Sequence, residues 1–289
     1  MTLLGAIVIF APPSVFALAT VEAFVLSRVR QEKYNWRAYW ASIADMAIRE
    51  YPVRLFLQFS IATPLFILAW RHHLFTVPLG TLPAIAVLFI GQEFFYYWFH
   101  RASHRVRYFW ATHAVHHSSN HFHLASAYRF GWTGGWTGTG IFYLPLVFLG
   151  FPPIAVFTML SLNLLYQFWL HVDWVPKLGP LEYVLNTPSH HRVHHAANAD
   201  YLDANYGGVL IVFDRLFGTF VEERADLPCR YGLVHPLTTN NPLRIGIHEW
   251  VNLGRDLWHA RSWRDVAGAI LGPPGDRPTR KEPLLLPAE

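Results

Sequence analysis

The chain has 289 residues; 53% are hydrophobic, 16% aromatic and only 15% charged, with a formal net charge of +4. Soluble domains carry roughly 25% charged residues, so this composition points to a membrane protein, and its wealth of Trp, Tyr and Phe excludes a disordered or low-complexity chain. One cysteine, Cys229, excludes a disulfide framework and any cysteine-held zinc or iron–sulfur site, and the modest charge calls for no nucleic-acid partner.

Apolar residues are concentrated in 2–29, 53–70, 75–99, 131–150 and 152–172. Each is about long enough to cross a ~30 Å hydrocarbon core as a helix. The first lacks the basic start of a signal peptide and runs on past Ala17-Leu18-Ala19, so it is read as retained. Glu22 and Pro12-Pro13 are its weak points, where a helix can be interrupted. Residues 28–50 set Tyr34, Trp36, Tyr39 and Trp40 beside Arg and Lys at helical spacing, as in a helix lying in the membrane interface. Residues 53–70 and 75–99 form a hairpin with Arg71 at its tip. Residues 131–172 form a second hairpin around Phe151-Pro152-Pro153, with proline well placed at the first turn of a helix. The glycines of 131–140 either pack helices closely or leave a slot for an acyl chain. After Gly207 come short β-branched runs, then two amphipathic stretches within 243–271, then a loose, proline-rich tail over 272–289.

This topology places 22 of the 23 Lys and Arg on one face and leaves Arg71 opposite, which makes the crowded face cytosolic. The expected fold is therefore all-α. One integral-membrane domain (1–289) has four to five transmembrane helices in hairpins, and a cytosolic helical cap carries histidines.

Seventeen histidines demand a reason. Three clusters stand out: His100 with His104; His113, His116 and His117; and His191, His194 and His195. Residues three or four apart share a helix face, so each cluster is expected to project together. His171, at the returning end of the second hairpin, lies at the same depth. His190 also shares a face with His194, but His191 repeats the spacing of His113 and is preferred. Neutral imidazole binds iron, zinc, copper and nickel, and one zinc takes four ligands. Eight or nine imidazoles thus suit two ions with four or five nitrogens each, a stoichiometry fit for a dinuclear iron site that binds O2. His72, His73, His235, His248 and His259 are read as ordinary interfacial histidines. Glu93, two turns below His100, could fix a ligand tautomer or hydrogen-bond a neighbouring helix. Asp203, Asn205 and Asp214 could orient ligands or cap a helix. His121 and His123 could be outer ligands, but the preferred reading is that they line the substrate entrance with Tyr128.

Phe-Tyr-Tyr-Trp-Phe-His-Arg (95–101), His-Ala-Val-His-His-Ser-Ser (113–119) and Asn-Thr-Pro-Ser-His-His-Arg-Val-His-His (186–195) resemble the sterol desaturase/fatty acid hydroxylase superfamily. So do Asn-Tyr-Gly-Gly (205–208) and Asp-Arg-Leu-Phe-Gly-Thr-Phe (214–220). The branch most resembled is that of alkylglycerol-monooxygenase-like bacterial members. The resemblance is strong over 93–220, which it implies to be the catalytic core. It implies a membrane di-iron oxygenase, in a bacterial inner membrane, that uses O2 to hydroxylate or desaturate a lipid C–H bond in a sterol, fatty acyl chain or alkylglycerol ether. The family's ligands map onto His100, His104, His113, His116, His117, His191, His194 and His195, with His171 at a further position. Glu93 stands where the family usually has Asp, and His123 where related members often carry Asn.

No Gly-x-Gly-x-x-Gly fingerprint follows a strand, so electrons are expected from a separate reductase or a diffusible donor such as a pterin. The rival reading is a histidine-rich membrane protein that binds or transports metal without redox catalysis. A membrane zinc hydrolase would want His-Glu-x-x-His, which His248-Glu249 does not continue. Lipid identity, reaction outcome and oligomeric state stay open at this level.

Overall fold

The computed structural model describes residues 3–30, 34–53 and 61–275 and, in the first helix, side chains from Phe10 onward. The elements in chain order are α1 (Leu3–Val29), α2 (Trp36–Ile48), α3 (Thr63–Arg71), α4 (Leu82–Arg105), α5 (Arg107–His117), α6 (Gly134–Thr137), α7 (Leu144–Leu149), α8 (Pro153–Phe168), α9 (Pro188–His194), α10 (Val212–Phe217), α11 (Pro242–His259) and α12 (Trp263–Leu271). Among the described residues there is no sheet, only isolated bridges joining Leu185 to Leu210 and Ala196 to Tyr231. The β-branched run after Gly207 therefore makes one bridge and then enters α10.

Among the described residues two helices, Phe10–Val29 within α1 and Leu82–Arg105, are long and apolar enough to cross a membrane. Their burial is inverted relative to a water-soluble helix. α1 turns Ala19 and Ala23 inward while Phe16, Val21, Phe24 and Val25 face out, and α4 buries Gln92, Glu93, Tyr96 and Tyr97 while Ile85, Val87 and Ile90 are exposed. In water this arrangement would waste the hydrophobic effect; against lipid it is the favourable one. Pro12 and Pro13 lie inside α1, which remains one helix. Glu22 is buried at 7% exposure, where it accepts hydrogen bonds from the Leu124 amide (2.7 Å) and Trp174 Nε1 (2.9 Å). The residue that weakened the sequence case for a span is thus a tie between α1 and the loops bearing the site.

The expected hairpins are only partly regular. Of 53–70, the described helix is α3, and 54–60 lie outside the described residues. The next helix starts at Leu82 rather than at 75. Residues 131–150 are not one span: the chain breaks into α6, a 3-10 turn (Thr139–Tyr143) and α7, with Gly138 at φ 73° between the first two. Of the glycines there, Gly138 packs against Ile61 and Gly140 against Ala62 and Phe66, while Gly134 faces open space. The second arm, α8, has 16 residues. The two tips meet, because the Leu74 amide donates to Phe148 O (2.8 Å) and the Val77 amide to Gly150 O (3.2 Å). Gly150 has φ 113°, and a Cβ there would fall 1.7 Å from Phe75 O, so only glycine fits.

Phe66, Leu88, Tyr96, Leu146, Val147 and Val156 form the core between α3, α4, α7 and α8. A second core joins α1 and α2 to residues 124–128 and Val172. The tail from 276 lies outside the described residues.

Candidate metal centre

The last turns of α4 carry His100 and His104, and a break at Val106 turns the chain directly into α5 with His113, His116 and His117. His171 follows the end of α8. His191 and His194 lie on α9, which starts with Pro188 at its first turn, and His195 is its C-cap. These nine rings fall into two groups. His100, His104, His113, His117 and His194 form one, and His116, His171, His191 and His195 the other, with the ligand nitrogens of each group within 4.8 Å of one another. The groups abut, since the rings of His117 and His195 stack with centroids 4.3 Å apart.

Each His-x-x-His-His motif is split between the groups. At about 100° per residue, His113 and His117 point within ~40° of each other while His116 points ~60° to the other side. The same rotation separates His194 from His191 and His195. So the outer pair of the first motif joins the middle residue of the second, and the reverse. The sequence expectation that each cluster projects as one face holds for His100 with His104 and is corrected by that offset for the two His-x-x-His-His clusters.

Spacing within the groups suits metal. The Nε2 atoms of His100 and His113 lie 3.0 Å apart, those of His117 and His113 3.2 Å, His191 and His171 3.1 Å, His195 and His191 3.1 Å, and His171 and His116 3.4 Å. Two nitrogens about 2.1 Å from one ion at a right angle are about 3 Å apart. His104 Nε2 and His194 Nε2 are buried with no hydrogen-bond partner, which leaves their lone pairs without a protein donor. An all-imidazole set of five and four fits the pair of ions that the sequence implies.

Four rings are held by backbone. Nδ1–H of His100 donates to Tyr206 O (2.8 Å), of His116 to Arg129 O (3.0 Å), of His171 to Gln167 O (2.9 Å) and of His194 to Ala204 O (2.9 Å). A proton on Nδ1 leaves Nε2 as the free lone pair. Burial, then repulsion from neighbouring imidazoles, holds His113, His117, His191 and His195 well below the ordinary pKa of 6.5. Burial, opposed by the backbone hydrogen bonds to Arg129 and Ala204, takes His116 to about 4 and, with a smaller push from His116, His194 to about 3. The rings are therefore neutral at physiological pH, the state a metal needs.

The residues expected to orient these ligands act at one remove. Glu93 touches no histidine; it accepts from Asn163 Nδ2 (2.5 Å) and the amides of Val209 (2.7 Å) and Leu210 (2.9 Å), the neighbouring-helix alternative extended to a loop. Asp214 accepts from the amides of Tyr206 and Gly207 and from Thr219 Oγ1, all at 2.7 Å, and so fixes the carbonyl that holds His100. Asn205, at φ 57°, bonds His190 O and Val221. Asp203 pairs with Arg105 at 2.6 Å, away from the rings. His190 lies in neither group, and its Nε2 is 3.8 Å from Glu182 Oε2.

His121 sits in a small polar cleft with Asn35, Ser118 and Arg129, where Asn35 Nδ2 donates to its Nε2 (2.7 Å). His123 is buried beside Tyr34, with ring centroids 5.2 Å apart, and neither of its nitrogens has a partner. The hydroxyls of Tyr34 and Tyr128 are likewise buried and unpartnered. Sequence reasoning missed the aromatic walls: Phe130 stacks on His116 (5.1 Å), Phe122 on His171 (5.6 Å), and Trp110 packs on His104 and His117. The signal available was the aromatic residue adjoining or near each histidine cluster.

With this geometry in place, the family resemblance is direct: residues 85–219 match the fatty acid hydroxylase family. Among named relatives, the alkylglycerol monooxygenase of Homo sapiens is 41% identical over 217 residues, covering 75% of this chain and 48% of the relative. That of Xenopus tropicalis is 41% identical over 208 residues, 70% of this chain and 44% of the relative. An ornithine lipid hydroxylase of Rhizobium tropici is 31% identical over 129 residues, 44% of this chain and 39% of the relative. The chain spans less than half the length of these relatives. No solved structure matches it.

Proposed function

We propose that the protein is an integral-membrane di-iron oxygenase that uses O2 to oxidise a C–H bond of a lipid, with an alkylglycerol ether as the first substrate to test. The observation that carries this reading is the convergence of nine imidazoles from α4, α5, α9 and the end of α8 into groups of five and four. His100, His104, His113, His117 and His194 would hold one iron, and His116, His171, His191 and His195 the other. Such a reduced iron pair supplies O2 activation and removal of hydrogen from an unactivated carbon.

The chain's own residues account for the rest. Carbonyls of Tyr206, Arg129, Gln167 and Ala204 hold the rings in one tautomer. Phe122, Phe130 and Trp110 wall the centre with apolar surface and limit water. His121, His123 and Tyr128 line the approach, and the unpartnered polar atoms of His123, Tyr34 and Tyr128 suit the hydroxyls of a lipid headgroup.

The spans are α1 and α4, with the stretch 53–70 and the shorter apolar helix α8 to make four; the broken stretch 131–150 is not one of them. Both hairpin tips lie together at the end of α4 remote from its histidines. The topology expected from sequence sets 22 of the 23 basic residues on the histidine side, which supports a cytosolic face for that side, where a reductase or a pterin would deliver electrons. The membrane is that of a bacterium, and the chain forms one domain with its catalytic core in 93–220. The transport alternative wants polar groups along a path through the bilayer. Here Glu93, Asn163, Gln167 and Tyr96 bond to one another instead.

The test is metal analysis joined to oxygen uptake on purified protein in lipid, with an alkylglycerol and a reduced pterin. Two irons per chain and lipid-dependent O2 consumption are expected. One zinc per chain, or uptake indifferent to lipid, would remove the oxygenase reading.

A further inference from the structure

α11 carries an exposed apolar row. Leu243, Ile247, Val251 and Trp258 recur at intervals of four, four and seven, which sets them on one face, and all four are exposed, Trp258 at 86%. The opposite face packs Ile245 and Leu253 into the core and also carries charge into the protein: Glu249 and Asp256 pair with the buried Arg107 of α5, at 3.0 Å to Nε and 2.6 Å to Nη1. A water-facing amphipathic helix keeps charge, rather than apolar side chains, on its outer face. α12 likewise turns Trp263 (87% exposed) and Leu271 outward, with Ala269 inward. Arg244 and Arg255 run along one edge of the α11 stripe, Arg261 lies between the helices, and Arg264 follows Trp263. Both helices are firmly capped, Asn241 accepting from the amides of Leu243 and Arg244, and Ser262 from that of Asp265.

We propose that α11 and α12 form a platform lying in the surface of an anionic bilayer, with the Leu243–Ile247–Val251–Trp258 row and the Trp263–Leu271 pair sunk at the headgroup–acyl boundary. Three features select lipid over a protein partner. The arginine edge complements the negative charge of a cytosolic leaflet. The two tryptophans are the residues favoured at headgroup depth. The apolar surface is a single row with arginines along one edge, the pattern of an interfacial helix. Because α11 packs on α5, the helix of His113, His116 and His117, the platform sets the height of the histidine centre above the lipid. This goes beyond the oxygenase reading and does not depend on it.

The test places the full chain in nanodiscs of phosphatidylcholine, with or without phosphatidylglycerol. In a Cys229→Ser background, Trp258→Cys and, as an exposed polar control, Asp226→Cys carry an environment-sensitive fluorophore. In the anionic discs, lipid-borne nitroxide should quench the label at 258 several-fold more than that at 226, and aqueous iodide several-fold less. Adding Arg255→Gln and Arg264→Gln should shift the label at 258 back towards iodide. A label at 258 that behaves as the one at 226 puts the face in water and overturns the proposal. A label shielded from both quenchers points to a second copy or a protein partner and overturns it equally. A measurement that leaves Cys229 in place gives the same decision. Brominated lipid should quench less of the total tryptophan emission in the Trp258→Phe/Trp263→Phe variant than in the parent, and an unchanged quenched fraction would refute the platform.

Discussion

His116 and His117 are consecutive in α5, yet their Nε2 atoms serve different groups. His117 Nε2 lies 3.2 Å from His113 Nε2, and His116 Nε2 lies 3.4 Å from His171 Nε2. Two adjacent residues therefore face two different candidate ion sites. His116→Ala and His117→Ala should each lower the metal held per chain by about half, since each strips a ligand from one ion only. The double variant His113→Ala/His117→Ala, confined to one group, should lose no more than His117→Ala alone. His116→Ala/His117→Ala should lose nearly all. Metal per chain after identical loading reads the difference, and equal losses in the two doubles would break the partition.

Asp214 acts on His100 through the turn at Tyr206 and Gly207. Its carboxylate accepts both amides at 2.7 Å, and Tyr206 O accepts from His100 Nδ1. Asp214→Ala leaves two buried amides unpartnered and frees the carbonyl that fixes a ligand ring. Removing such an outer partner typically weakens metal affinity or activity by about 10- to 100-fold. The loss should fall on the five-histidine group, so metal titration of Asp214→Ala should show one weakened ion and one unchanged.

The histidines were legible because chemistry fixes residue type and a helix fixes spacing. Their division between two groups was not, because the shared-face rule treats offsets of three and four as equivalent, although ~100° separates adjacent residues. Glu93 and Asp214 could be recognised as unusual carboxylates, but their partners are amides of 206–210, and a backbone group leaves no mark in a sequence. The same holds for the carbonyls that orient His100 and His194. His190 was ambiguous by spacing alone, and only the course of α9, which points it towards Glu182, separates it from His191. Residues 131–150 looked like a span because hydropathy records apolar character and is blind to the left-handed turn at Gly138.

Gly208 stands where a side chain would strike Asn163: an added Cβ would lie 2.1 Å from Asn163 Nδ2. That amide nitrogen donates to Glu93, whose other oxygen holds the amides of Val209 and Leu210. Gly208→Ala should therefore disrupt the junction of α4, α8 and the 205–210 loop together, at about 1–3 kcal/mol for the overpacking and more for any hydrogen bond lost. A lower apparent unfolding midpoint accompanied by weaker metal retention is expected. A variant with the parental midpoint would show that Asn163 can move without loss.

Asp45 gives a pH dependence of defined sign. It is fully buried on α2 and accepts from Trp132 Nε1 at 3.0 Å and the Phe130 amide at 3.4 Å. Burial outweighs these bonds and lifts its pKa from the ordinary 3.8 to about 6. Between those values the folded chain holds a proton that the unfolded chain has released. The group's contribution is thus fully present below about pH 4 and is lost as pH rises through about 6. The shift corresponds to at most about 3 kcal/mol. Asp45→Asn keeps an oxygen for Trp132 and removes the titration. In detergent-solubilised protein, the stability of the parent relative to Asp45→Asn should therefore fall as pH rises from about 4 to about 7. A difference flat across that range would mean that Asp45 ionises as freely in the fold as in water.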